Sequence, residues 1–190
     1  MMINEKNFDL VKKELERNDK LKEELIKKSR NIVKLSKRII YSLHRDDIKE
    51  AEKELQKIKM LVKKLKNYKY PKLIFSSPFK IAIQEYVEAL SYYYLLKYNK
   101  ILPYSKEFVD VEYYLLGLCD LVGELVRKAI NFAINNKFDE AVFIRNAVVE
   151  LYNKFLQLDL QNGELRKKSD SIKYELRKLD SLVFELKMRK

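Results

Sequence analysis

The sequence predicts an all-α protein, a helix bundle, and three observations lead there. Only three glycines and three prolines occur in 190 residues, so chain breaks are few. Leu, Lys, Glu, Ile and Tyr are abundant, a balance that favours helices over sheets. Apolar residues recur at three- and four-residue intervals almost throughout, with short connections and no strand-like alternation. At this length one domain over residues 1–190 with a real core is expected.

The elements follow in order. A first long helix is predicted over roughly residues 5–44, apolar at Leu25, Ile32, Leu35, Ile39 and Leu43, and Asn18-Asp19 marks where a break would fall. Asp46 and Asp47 signal a second helix to about residue 67, apolar at Leu55, Ile58, Leu61, Val62 and Leu65. YKYPKLIFSS, 68–77, is the first clear interruption. Ser77 is expected to cap a third helix, with Pro78 in its first turn where a missing N–H does no harm. That helix runs to about Lys100, and ILPYSKEFV leads to a fourth over 111–136 with Asp110 as cap. A fifth is predicted from about Asp139 to Asp159. Asn162-Gly163 then turns the chain into a sixth that starts at 164.

The net charge is +12, unevenly spread. Residues 1–70 hold 21 Lys and Arg against 12 Asp and Glu, a net of +9, and 161–190 hold 9 against 5, a net of +4. Residues 71–160 hold 10 against 11, a net of −1. Basic ends suit a polyanion, nucleic acid or an anionic membrane, and a solvated Lys/Glu surface is the plain alternative. One cysteine, Cys119, forms no internal disulfide and sits in an apolar run, which predicts a core thiol and a reduced, cytoplasmic setting. No apolar run approaches membrane-spanning length, so no membrane partner is expected.

Against this basic background the acids of the middle region stand out. In IQEYVEALSYYY, 83–94, Glu85 and Glu88 share a helix face, and neither has Lys or Arg three or four residues away. The fourth helix carries Gly117, Asp120, Glu124 and Arg127 as one stripe through an otherwise apolar segment. Asp120 again lacks a local basic partner, whereas Glu124 has Arg127 and Lys128 within reach. If the two faces pack together, four acids converge and need a cation or protonation. Oxygen ligands without His or Cys suit Mg²⁺ or Mn²⁺, and carboxylate-held Mg²⁺ activates water against phosphodiesters. Alternatively these acids face solvent, or pair with lysines of the terminal helices.

Other chemistries are excluded. A single histidine, His44, rules out a two-histidine ribonuclease within one subunit, and its place at a helix end suggests a capping or surface role. The paired Glu-x-x-His signature of di-iron bundles, a Gly-rich phosphate loop, CxxC and HExxH are all missing. On the first helix, Lys27, Arg30, Lys34, Lys37, Arg38, Tyr41 and Arg45 form a stripe able to track a phosphate backbone, or simply a solvated face. The 13 tyrosines stack on bases or, more commonly, fill a core or interface.

At these residues the chain resembles the family of translin and its partner, translin-associated factor X. NDKLKEELIKKSRNIVKLSKRIIYSLHR is similar to the family's first helix. IQEYVEALSYYYLL and VEYYLLGLCDLVGELVRKAI resemble the helices of factor X that carry its acidic site, and LRKKSDSIKYELRKLDSLVFELKMR the last helix. The resemblance implies a curved bundle of six to seven helices that assembles into a hollow octamer with RNA, or single-stranded DNA, inside. It also implies a Mg²⁺-dependent endoribonuclease, with Mn²⁺ as a substitute ion. Carried over by position, Glu85, Glu88 and Asp120 are the catalytic acids and metal ligands, with Glu124 a fourth ligand. Arg127 would contact the scissile phosphate, and Arg30, Lys34, Lys37, Arg38 and Arg45 would hold the remaining RNA. Translin-type subunits lack the glutamate pair kept here. The long insertion between the acidic helices of eukaryotic factor X is replaced by the short ILPYSKEFV connection, and one chain is expected to supply both scaffold and catalysis as a homo-oligomer. The rival reading is a non-catalytic single-stranded nucleic-acid-binding scaffold with structural acids.

Overall fold

The computed structural model describes residues 4–66, 77–105 and 109–188. These residues form six helices and no strand: α1 Glu5–His44, α2 Ile48–Lys66, α3 Ser77–Tyr98, α4 Val111–Ile134, α5 Phe138–Phe155 and α6 Glu164–Met188. The helices α3 and α4 pack together at the centre. One side of this pair is covered by α1, which also packs on α2, and the other by α5 and α6.

The predicted apolar registers become the core. Leu25, Ile32, Ile39 and Leu43 of α1 are fully buried, as are Ile58 and Leu65 of α2. On α4, Leu116, Leu121 and Leu125 are fully buried, while Ile130 lies exposed, beyond the packed face. Tyr86, Tyr92, Tyr93 and Tyr113 are buried too, so these aromatics are core residues, not base-stacking surfaces.

Several boundaries differ from expectation. The helix α1 continues unbroken through Asn18-Asp19, because two modest helix formers cannot interrupt a Lys/Glu-rich run by themselves. Ser77 is the first residue of α3, not its cap, and the position before it lies outside the described residues, as does most of YKYPKLIFSS. The end of α3 falls at Tyr98, where Asn99 takes a left-handed φ of 53°. Asn136 (58°) and Asp46 (61°) do the same after α4 and α1, and Asn and Asp tolerate that conformation best after glycine. The α5 helix stops at Phe155, short of Asp159. Two caps hold as predicted. The Asp110 side chain accepts from Glu112 N at 2.9 Å, and Asp47 from Glu50 N at 3.0 Å. No described helix is long and apolar enough to cross a membrane.

Candidate active site

The site begins with a missing side chain. A Cβ added to Gly117 of α4 would lie 2.7 Å from Val87 Cβ and 2.8 Å from the Gln84 carbonyl oxygen, so only glycine permits this crossing. Gln84 and Val87 flank Glu85 and Glu88 on α3. The close approach therefore sets those glutamates against Asp120 and Glu124, which follow Gly117 on the same face of α4.

The four carboxylates feel one another. Glu88 is only 8% exposed, and burial, then the charges of Glu85, Asp120 and Glu124, push its pKa up to about 8. Among the described residues nothing donates a hydrogen bond to Glu88 or pairs with it. Glu85 is also raised, chiefly by burial, with Lys37 of α1 opposing the shift from 4.0 Å.

The other two acids have partners from distant helices. Lys168 of α6 donates to both Asp120 oxygens, at 2.6 and 2.8 Å. His44 Nε2, at the end of α1, lies 2.5 Å from Glu124 Oε2, and its Nδ1 is 3.3 Å from the Tyr92 hydroxyl. This contact, assisted by Arg127 at 3.8 Å, holds the Glu124 carboxyl below its usual range. His44 is thus a buried partner of the acid face and not the surface residue its position suggested. Lys128 does not pair with Glu124. It is fully buried, and its Nζ reaches the Leu43 and His44 carbonyls (2.9 and 3.3 Å) and Asp46 Oδ1 (2.6 Å). That contact closes the C-terminus of α1, where a cation is favoured, and fixes His44 opposite Glu124.

The sequence brought out Glu85, Glu88, Asp120 and Glu124 but missed Lys168, His44 and Lys128. Asp120 and Lys168 are 48 residues apart and His44 and Glu124 are 80 apart, so no helical spacing connects them. The alternative of lysines from the terminal helices is met for Asp120 by Lys168 and, loosely, for Glu85 by Lys37. Cys119 is a buried free thiol raised to about 12 by burial, as expected of a core residue and unlike a nucleophile.

The donor chemistry fits a hard divalent cation: four carboxylates, one of them buried and without a partner among the described residues. Among the described residues no three His, Cys, Asp or Glu side chains stand close enough to hold an ion as placed. Convergence of these carboxylates on an ion would require side-chain movement, with Asp120 leaving Lys168. A neighbouring groove of about 890 Å³, lined by Leu115, Leu118, Phe143 and Leu158 among others, contains none of these acids.

The basic stripe lies next to the acids, linked to them by Lys37. Arg30, Lys34, Lys37, Arg38 and Arg45 are all exposed, as is Arg127. Among the described residues no carboxylate pairs with Arg30, Lys34 or Arg38, and Arg45 reaches only the Ser42 hydroxyl at 3.5 Å.

These features define an all-α protein with an oxygen-only acid cluster between two central helices and a cationic stripe beside it. Residues 20–190 match the Translin family, and the chain belongs to that family. It is 32% identical to an uncharacterised protein of Methanocaldococcus jannaschii over 80% of this chain and 70% of that one. It is 28% identical to mouse translin-associated protein X over 96% of this chain and 78% of that protein. Its fold matches AfC3PO, solved in complex with duplex RNA, with a TM-score of 0.87 and 28% identity, covering 97% of this chain and 98% of the other.

Proposed function

We propose that this chain is a metal-dependent endoribonuclease of the translin-associated factor X type, acting on short RNA inside a homo-oligomeric chamber. The observation that carries the reading is Glu88, a buried carboxylate raised to about 8 and facing three other acids without a partner of its own among the described residues. So costly an arrangement is retained where a cation or a reacting group offsets it. Glu85, Glu88 and Asp120, with Glu124, would hold Mg²⁺ or Mn²⁺. Bound there, the ion supplies a Lewis acid and lowers the pKa of its water.

The chain's own residues do the rest. Exposed Arg127, one turn beyond Glu124, is placed to take a phosphate oxygen with its guanidinium fork. Lys37, Lys34, Arg30, Arg38 and Arg45 bind the backbone without reading bases. His44 fixes the Glu124 carboxylate, and Tyr92 fixes the imidazole. The duplex RNA bound by AfC3PO favours RNA as the polyanion. Self-association is supported by apolar side chains left in the open on α1 (Phe8, Val11, Leu15) and at the end of α6 (Phe184, Met188). An octamer enclosing the basic stripe is the assembly we favour, in the cytoplasm, where a lone free cysteine is ordinary.

The scaffold reading has its own supporting observation. Asp120 is already ion-paired with Lys168, and Glu124 already has a side-chain partner in His44. End-labelled short RNA, single- and double-stranded, incubated in Mg²⁺ or EDTA separates the two. The nuclease reading expects cleavage only with Mg²⁺, lost in Glu88→Gln while assembly and RNA binding persist. Intact RNA in every lane despite binding, or cleavage retained by Glu88→Gln, overturns it.

A further inference from the structure

We infer that Lys168 is the acid site's internal cation: its ammonium competes with a divalent ion for the Asp120 carboxylate and must be displaced before the ion can use it. The inference rests on the nuclease reading of the same site.

Three observations carry it. First, the contact is two-pronged, with Lys168 Nζ at 2.6 and 2.8 Å from the two Asp120 oxygens, so both of the acid's donor atoms are taken. Second, the pair joins two helices, α6 to α4, across 48 residues of sequence, so the ammonium can withdraw without disturbing the turn that carries Asp120. Among the described residues no other lysine pairs with Asp120. Lys37 acts on Glu85, and Lys128 is committed to the end of α1. Third, the contact is releasable. Both side chains are 33% exposed, and a lysine ammonium on a flexible stem exchanges partners at little cost when solvent reaches it.

The helix supplies a place for the displaced ammonium. Glu164 lies one turn before Lys168, in the acid-first i,i+4 order that favours pairing. It is now held by Lys80 at 2.8 Å, yet Lys80 also has Glu112 at 3.6 Å and can shift toward it. Two ion-paired groups, Glu112–Lys80–Glu164 and Lys168–Asp120, thus lie one helical turn of α6 apart. Transfer of Lys168 to Glu164, with Lys80 passing to Glu112, would absorb the entry of an ion at Asp120. Lys168 therefore acts through Asp120, as a positioning residue that sets the affinity of the site for its ion.

Calorimetric titration of Mg²⁺ into wild-type, Lys168→Met and Lys168→Gln protein in EDTA-stripped buffer tests this without any RNA. Both substitutions are expected to tighten Mg²⁺ binding at least several-fold, because no internal cation competes. Asp120→Asn is expected to erase that effect, so that adding Lys168→Met to it no longer changes the affinity. Thermal melts identify a variant that fails to fold, and Lys168→Gln, which keeps length and polarity, then decides. Wild-type affinity or weaker binding in folded Lys168 variants overturns the inference and leaves the nuclease reading standing. No Mg²⁺ binding by any form overturns both.

Discussion

At the scale of the residue, Glu88 determines how stability depends on pH. Its folded-state pKa of about 8 lies above the 4.5 of an ordinary glutamate, so the folded protein holds that proton more tightly than the unfolded chain. The stabilising contribution is complete below about pH 4.5 and is lost as pH rises through about 8. Glu88→Gln keeps a neutral group at every pH. In EDTA its melting temperature should exceed wild type by about 5 °C or more at about pH 8.5, with each kcal/mol worth about 2–4 °C in a protein of this size. At about pH 4.5 the two should melt together. A pH-independent difference would show that Glu88 is an ordinary ionised surface acid. Glu124 has the opposite sign: His44 lowers its pKa, so its contribution is present at neutral pH and fades as pH falls below the usual carboxylate range. The glutamate pair was legible because helical spacing alone shows that no local cation answers it. The contributions of His44 and Lys168 were not, since their partners lie 80 and 48 residues away.

At the scale of the element, the crossing of α3 and α4 makes the site. Gly117 was visible as a break in an apolar pattern, but its reason was not, because sequence does not tell which backbone it must approach. An alanine there gains helix propensity of about 1 kcal/mol and must displace Val87 and the Gln84 carbonyl. Overpacking against backbone outweighs the gain, so Gly117→Ala should destabilise by a net of about 1–2 kcal/mol in chemical denaturation. It should also move Glu88 away from Asp120 and bring its pKa toward 4.5. An unchanged or raised stability would mean that the helices are not in contact at this point. The helix registers of α1, α2 and α4 were readable because each buries one face against a neighbour, which leaves a periodic imprint. Helix ends were less so. Asn99 and Asn136 stop α3 and α4 through left-handed backbone, and many asparagines elsewhere in this chain do no such thing.

At the scale of the whole molecule, charge separates into a basic face and an acid centre that meet at Lys37 and Glu85. A polyanion drawn to that face is brought to the acids, and counterion release makes its affinity fall with salt. Arg38 is exposed and has no carboxylate partner among the described residues. Arg38→Ala should weaken RNA binding without changing sequence preference and should reduce the slope of log K against log salt by about 1. An unchanged slope would place the RNA path elsewhere. The net +12 suggested a polyanionic ligand from composition, and the exposed stripe on α1 is where the proposal puts it. How copies of the chain would enclose that stripe, as proposed, is written in no local pattern, and exposed apolar residues such as Phe8 and Phe184 are the candidates for such contacts.

Everything proposed for the site turns on Glu85, Glu88 and Asp120 holding one divalent cation. An anomalous difference map from crystals grown with Mn²⁺, compared with Glu88→Gln crystals prepared identically, would see that ion directly. A peak is expected between α3 and α4 in contact with these three carboxylates, with Lys168 withdrawn from Asp120 and no peak in the variant. A clean map with Lys168 still on both Asp120 oxygens, in protein that cleaves RNA with Mn²⁺, would refute the assignment.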